Sequence, residues 1–193
     1  MKTFITFFIF FLLINNSFAK SVLPSNQSQT AYLAGGCFWG MQELLRDQKG
    51  VIKTEVGYMG DLKVKNPNYN LIKTGTTQFA ETVKIVFDEK KLSYKDLLKF
   101  FFKIHDPSTK NQQGNDKGLQ YRSVIFYTNL DQKAEAEILI EKMLQKKIFS
   151  QITTEISKAS TWYSAEDYHQ DYLQKNPGGY TCHYVRKINL DDL

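Results

Sequence analysis

The order of its hydrophobic segments is the feature that most narrows what this chain can fold into. Helical spacing of apolar side chains predicts two helices, over residues 38–46 and 94–104. Short apolar segments predict four strands, at residues 30–34, 51–58, 80–87 and 123–127. The resulting order is strand, helix, strand, strand, helix, strand, which is the split βαβ arrangement. We therefore predict an α+β fold of the ferredoxin-like type, a two-layer sandwich with helices packed on one sheet.

The remaining segments extend this unit without suggesting a second domain. We predict a helix over residues 131–145, a strand at 152–156 and a helix over residues 165–175. An irregular, mobile C-terminal tail follows, and it contains Cys182. Since 193 residues are enough for one sizeable core, residues 30–193 are expected to form a single domain.

The first residues have the pattern of an export signal. Lys2 precedes an apolar run over residues 4–14, and residues 17–19, Ser-Phe-Ala, form a small-x-small cleavage signature. The apolar run is shorter than the roughly 20 residues that a bilayer-spanning helix needs, so a retained membrane anchor is the weaker alternative. We expect a signal peptide at residues 1–19, a flexible tether at residues 20–29, and a soluble protein exported to the periplasm.

The charge pattern argues against nucleic-acid binding. The net charge is +5 at neutral pH, and the basic residues are scattered rather than gathered into a stripe. Lys142, Lys146 and Lys147 fall in or beside a predicted helix, where a solvated face is the usual explanation. A metal site is also weakly indicated, because Cys182 and His183 are adjacent and no second closely spaced ligand pair accompanies them. We expect no metal and no nucleic-acid partner.

Two cysteines, Cys37 and Cys182, are the candidates for chemistry. Their number and an exported location alone favour a structural disulfide in a small binding domain. Cys37, however, begins a predicted helix, where peptide dipoles and unpaired N–H groups favour the thiolate and lower the thiol pKa. Gly35 and Gly36 leave room for a substrate to approach the sulfur. Cys37 is therefore predicted to be a nucleophile rather than part of a structural disulfide.

The aromatic residues after Cys37 are candidates for a substrate pocket. Trp39, beside a nucleophile and close to two glycines, is assigned to the site, whereas Phe38 fits the core and the site equally well. A second enzyme class remains open, a cysteine hydrolase that pairs Cys37 with His105 or His169. The local signatures of such hydrolases are absent from the sequence. The ease of reduction separates a binding domain with a structural disulfide from a redox enzyme. A structural disulfide resists reduction by a mild dithiol, whereas a catalytic disulfide is readily reduced.

A series of short motifs runs through the chain. They are GCFWG at 36–40, GY at 57–58, NPNY at 66–69, AE at 80–81, HDP at 105–107, NQQGND at 111–116, QYRS at 120–123, AEDYHQ at 165–170 and GYTCH at 179–183. In kind and in order this series resembles the type A peptide-methionine sulfoxide reductases, over nearly all of residues 30–193. The resemblance implies an oxidoreductase that uses no cofactor, acts as a monomer and reduces the S epimer of methionine sulfoxide, in proteins and in small molecules.

The resemblance implies a role for each of several residues. Cys37 matches the family's catalytic cysteine, which attacks the sulfoxide sulfur and becomes a sulfenic acid. Glu81 matches the acid that gives a proton to the departing oxygen. Tyr69 and Tyr121 match tyrosines that donate hydrogen bonds toward that oxygen, and Asp116 matches an aspartate that organises substrate and water. Without the resemblance, Glu81 would be taken for a solvated strand residue and both tyrosines for packing residues.

The resemblance also implies how the enzyme is recycled. Cys182 matches the position where many family members carry a resolving cysteine, so a transient disulfide between Cys37 and Cys182 is expected. A thioredoxin-like reductant would then reopen this disulfide. The expected role is the repair of oxidised exported proteins.

One motif departs from the family's pattern. The family commonly has Gly-His before Ala-Glu, where this chain has Gln78 and Phe79. An apolar residue thus replaces a polar neighbour of the acid. We predict that burial among Phe38, Trp39 and Phe79 keeps Glu81 neutral, since an apolar environment penalises the charged form of a carboxyl group.

Overall fold

A six-stranded sheet organises residues 28–193, which are the residues that the computed structural model describes. The strands are β1 (Ser28–Gly35), β2 (Val51–Met59), β3 (Ala80–Asp88), β4 (Gln112–Gln113), β5 (Asp116–Lys117), β6 (Ser123–Tyr127), β7 (Glu155–Lys158) and β8 (Tyr163–Ser164). The helices are α1 (Phe38–Arg46), α2 (Tyr69–Ile72), α3 (Tyr94–Ile104), α4 (Leu130–Gln145) and α5 (Tyr172–Lys175), with a short 3-10 helix at Leu119–Tyr121. None of the helices within residues 28–193 is both long and apolar enough to cross a membrane. The predicted signal peptide at 1–19 and residues 20–27 of the predicted tether lie outside the described residues.

The sheet has the strand order β7-β6-β1-β3-β2-β8. Its four inner strands, β6, β1, β3 and β2, are antiparallel neighbours, which is the order of a split βαβ unit. The predicted ferredoxin-like α+β sandwich is therefore confirmed. β7 extends one edge parallel to β6, and β8 extends the other edge antiparallel to β2. Because β1 lies in the middle of the sheet, the residue that follows it is held by a strand with partners on both sides.

Helices α1, α3 and α4 bury apolar side chains against one face of this sheet. The stripe of α3 is fully buried, in agreement with its predicted spacing, and consists of Leu97, Leu98, Phe101 and Phe102. Full burial of a side chain of this size stabilises the folded state by roughly 1.5–3 kcal/mol relative to exposure. Ser93 accepts a hydrogen bond from the Asp96 N–H at 3.1 Å and so caps the helix where the sequence predicts.

The chain turns between β1 and α1 at Gly35 and Gly36, as predicted. Gly36 has a φ of +108°, a conformation that other residues rarely adopt. A Cβ at this position would lie 2.5 Å from Cγ of Gln113, so no side chain fits. The turn leads from the central strand directly to Cys37, which precedes the first residue of α1.

Several boundaries and short elements differ from the predictions. The strand predicted at 152–156 begins only at Glu155, since the Thr153 N–H donates to the Pro107 carbonyl at 2.7 Å and not to a neighbouring strand. β1 begins at Ser28, which pairs with Asp88, two residues before the predicted start of the folded body. Helix α2 lies in a stretch for which the sequence predicts no element.

The helix predicted over residues 165–175 is helical only in its last turn, α5. Its first half bonds to β2 instead. The Ala165 N–H donates to the Val56 carbonyl at 3.0 Å, and the Gln170 side chain bonds to both backbone groups of Val56. These contacts between distant residues replace the bonds that a helix would make within the segment, so the prediction is wrong there.

The C-terminal tail, residues 176–193, is irregular as predicted, but it packs against the body. Nε2 of His183 lies 2.8 Å from the Gly35 carbonyl oxygen, and the Arg186 N–H donates to the Lys103 carbonyl at 2.8 Å. Leu190 is buried in the same apolar core as the helices. The tail is therefore not free of the body, because these contacts tie it to β1 and α3 at several points.

Candidate active site

A cleft of about 170 Å³ opens at the N-terminal end of α1. Its lining consists of Cys37, Phe38, Trp39, Tyr69, Glu81, Asp116, Tyr121 and Tyr180. Every residue predicted for catalysis or substrate binding is in this set, except Cys182. The fold thus brings side chains from separate parts of the chain to one place, although the sequence predicts no role for Tyr180.

Cys37 occupies the N-cap of α1 with 7% of its surface exposed. The nearby backbone N–H of Trp39 favours the thiolate, as expected at a helix N-terminus. Burial has the larger effect on the thiol pKa. Desolvation, and after it the charge of Glu81, raises the pKa of the Cys37 thiol well above its ordinary value. The predicted lowering of this pKa is therefore wrong for the resting site, where Cys37 is a thiol.

Glu81 lies on β3, opposite Tyr58 of β2, and only 2% of its surface is exposed. Its Oε2 accepts a hydrogen bond from the Phe38 N–H at 3.1 Å, which places the carboxyl group beside the nucleophile. Burial raises the pKa of Glu81 to about 8, against the opposing effect of that hydrogen bond. The carboxyl group is therefore protonated at neutral pH and can donate a proton, in line with the sequence-based expectation.

Tyr69 is held in place through its backbone. It opens helix α2, which Asn68 caps by accepting a hydrogen bond from the N–H of the third residue of the helix, at 3.0 Å. The Tyr69 N–H itself donates to Oε1 of Glu166 at 2.7 Å. The other oxygen of Glu166 accepts from the Tyr58 hydroxyl at 2.8 Å. Glu166 therefore ties the start of α2 to the central sheet.

The hydroxyl groups of Tyr69 and Tyr121 remain protonated in the cleft. Burial raises the pKa of both phenols above the ordinary value, and the negative charge of Glu81 acts in the same direction. Tyr121 ends the short 3-10 helix at Leu119–Tyr121, so the two rings reach the cleft from different segments. Both hydroxyls are consequently hydrogen-bond donors for an oxygen bound in the cleft.

Trp39 forms an apolar wall that aromatic neighbours hold in place. Its ring stacks on Tyr172, with centroids 3.7 Å apart and an interplanar angle of 13°. Its Nε1 donates to Nδ1 of His169 at 3.0 Å, and His169 packs edge-on to Tyr69 with centroids 4.5 Å apart. The indole therefore has one fixed orientation at the mouth of the cleft.

Phe38 belongs to the core and to the site at once. Its ring is fully buried and lies 5.1 Å from the His169 ring, centroid to centroid. Its backbone N–H is the donor to Glu81, and the residue lines the cleft. Both interpretations that the sequence left open for this residue are thus realised.

Asp116 connects the cleft to Cys182. It lies in the β4–β5 hairpin, where it pairs with Gln113. The Cys182 thiol donates to Oδ2 of Asp116 at 3.1 Å, and the Tyr180 hydroxyl donates to Oδ1 at 3.0 Å. Burial and the bond to Asp116 raise the pKa of Cys182 to about 12, while the Cys37 N–H opposes that shift. The two cysteines, both free thiols, therefore adjoin each other at the cleft.

Supporting residues surround these groups, in roles that the sequence analysis did not assign to them. Glu166, His169 and Tyr172 hold Tyr69 and Trp39, and Tyr180 holds Asp116. Glu166, His169 and Tyr180 stand within the motifs at 165–170 and 179–183, which was the available signal. Chemistry alone could not assign them these supporting roles, because each role depends on a contact between distant parts of the chain.

The two histidines of the hydrolase alternative, His105 and His169, are both engaged elsewhere. His105 is buried between the Phe101 carbonyl, 2.7 Å from Nδ1, and the Ser123 hydroxyl, 2.8 Å from Nε2, and burial lowers its pKa to about 3. His169 uses Nδ1 to accept a hydrogen bond from Trp39.

Among residues 28–193, no three His, Cys, Asp or Glu side chains are grouped so as to hold a metal ion.

Comparison with known proteins agrees with this geometry. The sequence model of a family described as "Peptide methionine sulfoxide reductase" matches residues 29–193. The chain is 50% identical over 160 residues to the peptide methionine sulfoxide reductase MsrA of Mycolicibacterium paratuberculosis, which covers 82% of this chain and 91% of that protein. Its fold is similar to that of reduced Mxr1 from Saccharomyces cerevisiae, with a TM-score of 0.77, 38% identity and coverage of 83% and 93%. It is also similar to methionine sulfoxide reductase A of Corynebacterium diphtheriae, with a TM-score of 0.71 and 32% identity. That match covers 86% of this chain and 84% of the other.

Proposed function

The chain belongs to the peptide methionine sulfoxide reductase family, type A, and on that basis we propose how its own residues carry out the reaction. As a member of this family it is an oxidoreductase that reduces methionine sulfoxide. One observation carries the proposal: a buried thiol, Cys37, and a carboxyl group kept neutral, Glu81, face the same cleft. Sulfoxide reduction needs a nucleophile and a proton donor of this kind.

The substrate binds with its methyl group on Trp39 and its oxygen toward Glu81. The stacked indole is apolar, whereas the hydroxyls of Tyr69 and Tyr121 and the protonated carboxyl group are donors for an oxygen. The sulfoxide sulfur is a stereocentre. Once the methyl group and the oxygen are fixed, only one epimer directs the rest of the methionine out of the cleft. We propose that this is the S epimer, both in proteins and in free methionine sulfoxide, as the resemblance of the motifs implies.

Glu81 acts as a proton relay in the first step. It gives its proton to the sulfoxide oxygen and accepts the proton that the Cys37 thiol must lose in order to attack. The Cys37 sulfur attacks the sulfoxide sulfur, the sulfur–oxygen bond of the substrate breaks, and the hydroxyl group passes to Cys37. Cys37 is thereby oxidised to a sulfenic acid, and the methionine sulfur is reduced to a thioether by the same electron pair.

Cys182 completes the cycle by attacking the sulfenic acid. A sulfur–sulfur bond to Cys37 forms, the Cys37 sulfur–oxygen bond breaks, and water leaves. The position of Cys182 beside Asp116 and the Cys37 N–H supports this role. A thioredoxin-like reductant then restores both thiols by thiol–disulfide exchange.

Cys182→Ser is expected to complete one turnover and then stop. The variant keeps the nucleophile and the acid, so one thioether should form per enzyme, but the sulfenic acid lacks an internal thiol. We expect about one equivalent of methionine in a quenched mixture, and loss of thioredoxin-driven turnover by about 10²-fold or more relative to wild type. Repeated thioredoxin-driven turnover by this variant would contradict the role of Cys182.

Giving the two epimers of a methionine sulfoxide peptide separately tests the binding mode. The wild-type enzyme and Cys182→Ser should each release methionine from the S epimer and none from the R epimer. Equal reduction of both epimers would mean that the methyl group and the oxygen are not fixed as proposed.

We also propose that the protein is exported and repairs oxidised exported proteins. The charged, apolar and small-residue pattern of residues 1–19 supports export. Expression of the full chain in a Gram-negative host, followed by mass measurement of the periplasmic fraction, should yield a protein that begins at Lys20. Recovery of the protein only in the cytosol, with Met1 retained, would contradict the proposal.

A further inference from the structure

His183, which follows Cys182, has a tautomer that its surroundings define. It is buried, with 6% of its surface exposed, and its Nε2 lies 2.8 Å from the Gly35 carbonyl oxygen. A carbonyl oxygen can only accept a hydrogen bond, so Nε2 carries the hydrogen. In the neutral ring Nδ1 is then left with a free lone pair.

That lone pair faces the sulfur of Cys182. Nδ1 lies 3.5 Å from Sγ, within hydrogen-bonding distance of a thiol. The ring cannot readily turn away, because it is packed closely against the backbone of Gly36 and Gly40. It fills the space that side chains at these two positions would occupy. A Cβ on Gly40 would lie 2.7 Å from Nδ1, and one on Gly36 would lie 3.0 Å from Cε1.

We propose that His183 is the base that removes the thiol proton of Cys182 when Cys182 attacks the sulfenic acid of Cys37. The inference rests on the proposed resolving role of Cys182. The S–H bond, which points to Asp116 at rest, turns toward Nδ1 and the thiol proton passes to that nitrogen. The new sulfur–sulfur bond forms, and the Cys37 sulfur–oxygen bond breaks. The leaving hydroxide takes the proton of Glu81 and departs as water. His183 then returns its proton to solvent and Glu81 regains one.

Asp116 also contacts Sγ, at 3.1 Å, but its role differs from that of His183. A carboxylate is ordinarily a much weaker base than an imidazole. The Asp116 charge opposes formation of the Cys182 thiolate, and it favours the protonated form of His183. Asp116 therefore holds the thiol at rest, and it stabilises the imidazolium that forms when the proton moves.

The groups that face His183 keep it available as a base. Burial lowers its pKa, against the bond to Gly35 and the charge of Asp116. His105, which also lies near Gly35, is itself held neutral and so adds no opposing positive charge at neutral pH. Cys182 is the remaining titratable contact. The imidazole is thus neutral near pH 7 and can accept a proton.

Two substitutions separate proton transfer from anchoring. Gln in His183→Gln can place its amide nitrogen near the former Nε2 and donate to Gly35, but it offers no basic nitrogen to Cys182. Asn in His183→Asn places an atom near the former Nδ1 but cannot reach Gly35. If His183 only anchors the tail, His183→Gln should behave as wild type and His183→Asn should not.

The experiment mixes reduced enzyme with one equivalent of the S epimer, and measures methionine release and loss of free thiols separately after alkylation. His183→Gln should release methionine at nearly the wild-type rate, because His183 takes no part in that step. Its disulfide formation at pH 7 should be slower by roughly 10²-fold, as for loss of a general base. The deficit should shrink about tenfold for each unit of rising pH, since hydroxide then removes the thiol proton.

Two results would overturn the proposal. One is disulfide formation by His183→Gln at the wild-type rate with the wild-type pH profile. The other, which needs no variant, is a wild-type disulfide rate that does not fall as the pH drops through the titration of His183. If wild type forms no disulfide at all, the resolving role of Cys182 fails instead, so the two failures are distinguishable.

Discussion

Cys37→Ser should abolish sulfoxide reduction, lowering the rate of the first turnover by roughly 10⁴-fold or more. A serine hydroxyl is a far weaker nucleophile than a thiol and cannot be oxidised to a sulfenic acid. The substitution is nearly isosteric, and Cys37 makes no hydrogen bond through its side chain as the N-cap of α1, so the fold should be retained. Methionine release from the S epimer in a single-turnover mixture measures the effect.

Cys182→Ser is the matched control for this loss. It makes the same chemical change at the other cysteine of the cleft, yet its first turnover should proceed. Methionine release by Cys37→Ser at more than a trace of the wild-type rate would remove Cys37 from the role of nucleophile, and the mechanism proposed above would then fail.

Glu81→Gln should slow the first turnover by roughly 10²–10⁴-fold, the usual contribution of a positioned acid. The amide can still accept the Phe38 hydrogen bond, but it cannot give up a proton. In wild type the active form of Glu81 is the protonated one, so the first-turnover rate should fall as the pH rises through about 8. A flat wild-type profile between mildly acidic and mildly basic pH would count against Glu81 as the acid.

The same substitution should stabilise the fold at alkaline pH. The folded-state pKa of Glu81 is raised from 4.5 to about 8, so the folded state holds a proton that the unfolded state loses above pH 4.5. Wild-type stability from this group is therefore present below pH 4.5 and is lost as the pH rises to 8. Urea unfolding should show the free-energy difference between Glu81→Gln and wild type growing from pH 5 to pH 8. Glu137→Gln, on the exposed side of α4, is the matched control for replacing a carboxyl group by an amide.

Local signals in the sequence were sufficient for the elements that support the cleft. Helices α1 and α3 begin and end where the apolar spacing predicts, because each buries one stripe on the sheet and α3 also has its own cap at Ser93. The alternation that predicts β3 also places Glu81 on the same face as Val83 and Ile85, which are buried in the core beneath the helices. Where a local pattern and the packing of the core agree, the sequence is enough to predict the helix or strand.

Contacts between distant parts of the chain explain why two predictions from the sequence are wrong. Residues 165–171 have a helical pattern, but bonds from Ala165 and Gln170 to Val56 outweigh it. Nothing in the sequence near residue 165 announces its position beside β2. The thiol pKa of Cys37 is a failure of the same kind, since the helix terminus is visible in the sequence and the burial that outweighs it is not.

Most residues of the site could be predicted only from the family resemblance. Chemistry selected Cys37 and Trp39, while Glu81, Tyr69, Tyr121 and Asp116 are ordinary residue types whose importance lies in their convergence. Convergence of separate segments is a property of the folded chain. For the same reason His183, whose significance depends on the carbonyl of Gly35, could not be selected from its neighbours in sequence.

The two cysteines stand on parts of the molecule that differ in how readily they open. Cys37 follows the central strand β1, whose amides should exchange with solvent only in rare, global openings. Cys182 belongs to a segment without helix or strand, held near the cleft chiefly by side-chain bonds to Asp116 and Gly35. A reductant can therefore draw Cys182 outward in a local excursion while the sheet stays closed. Hydrogen exchange should accordingly divide the site into a slow half around Cys37 and a fast half around Cys182.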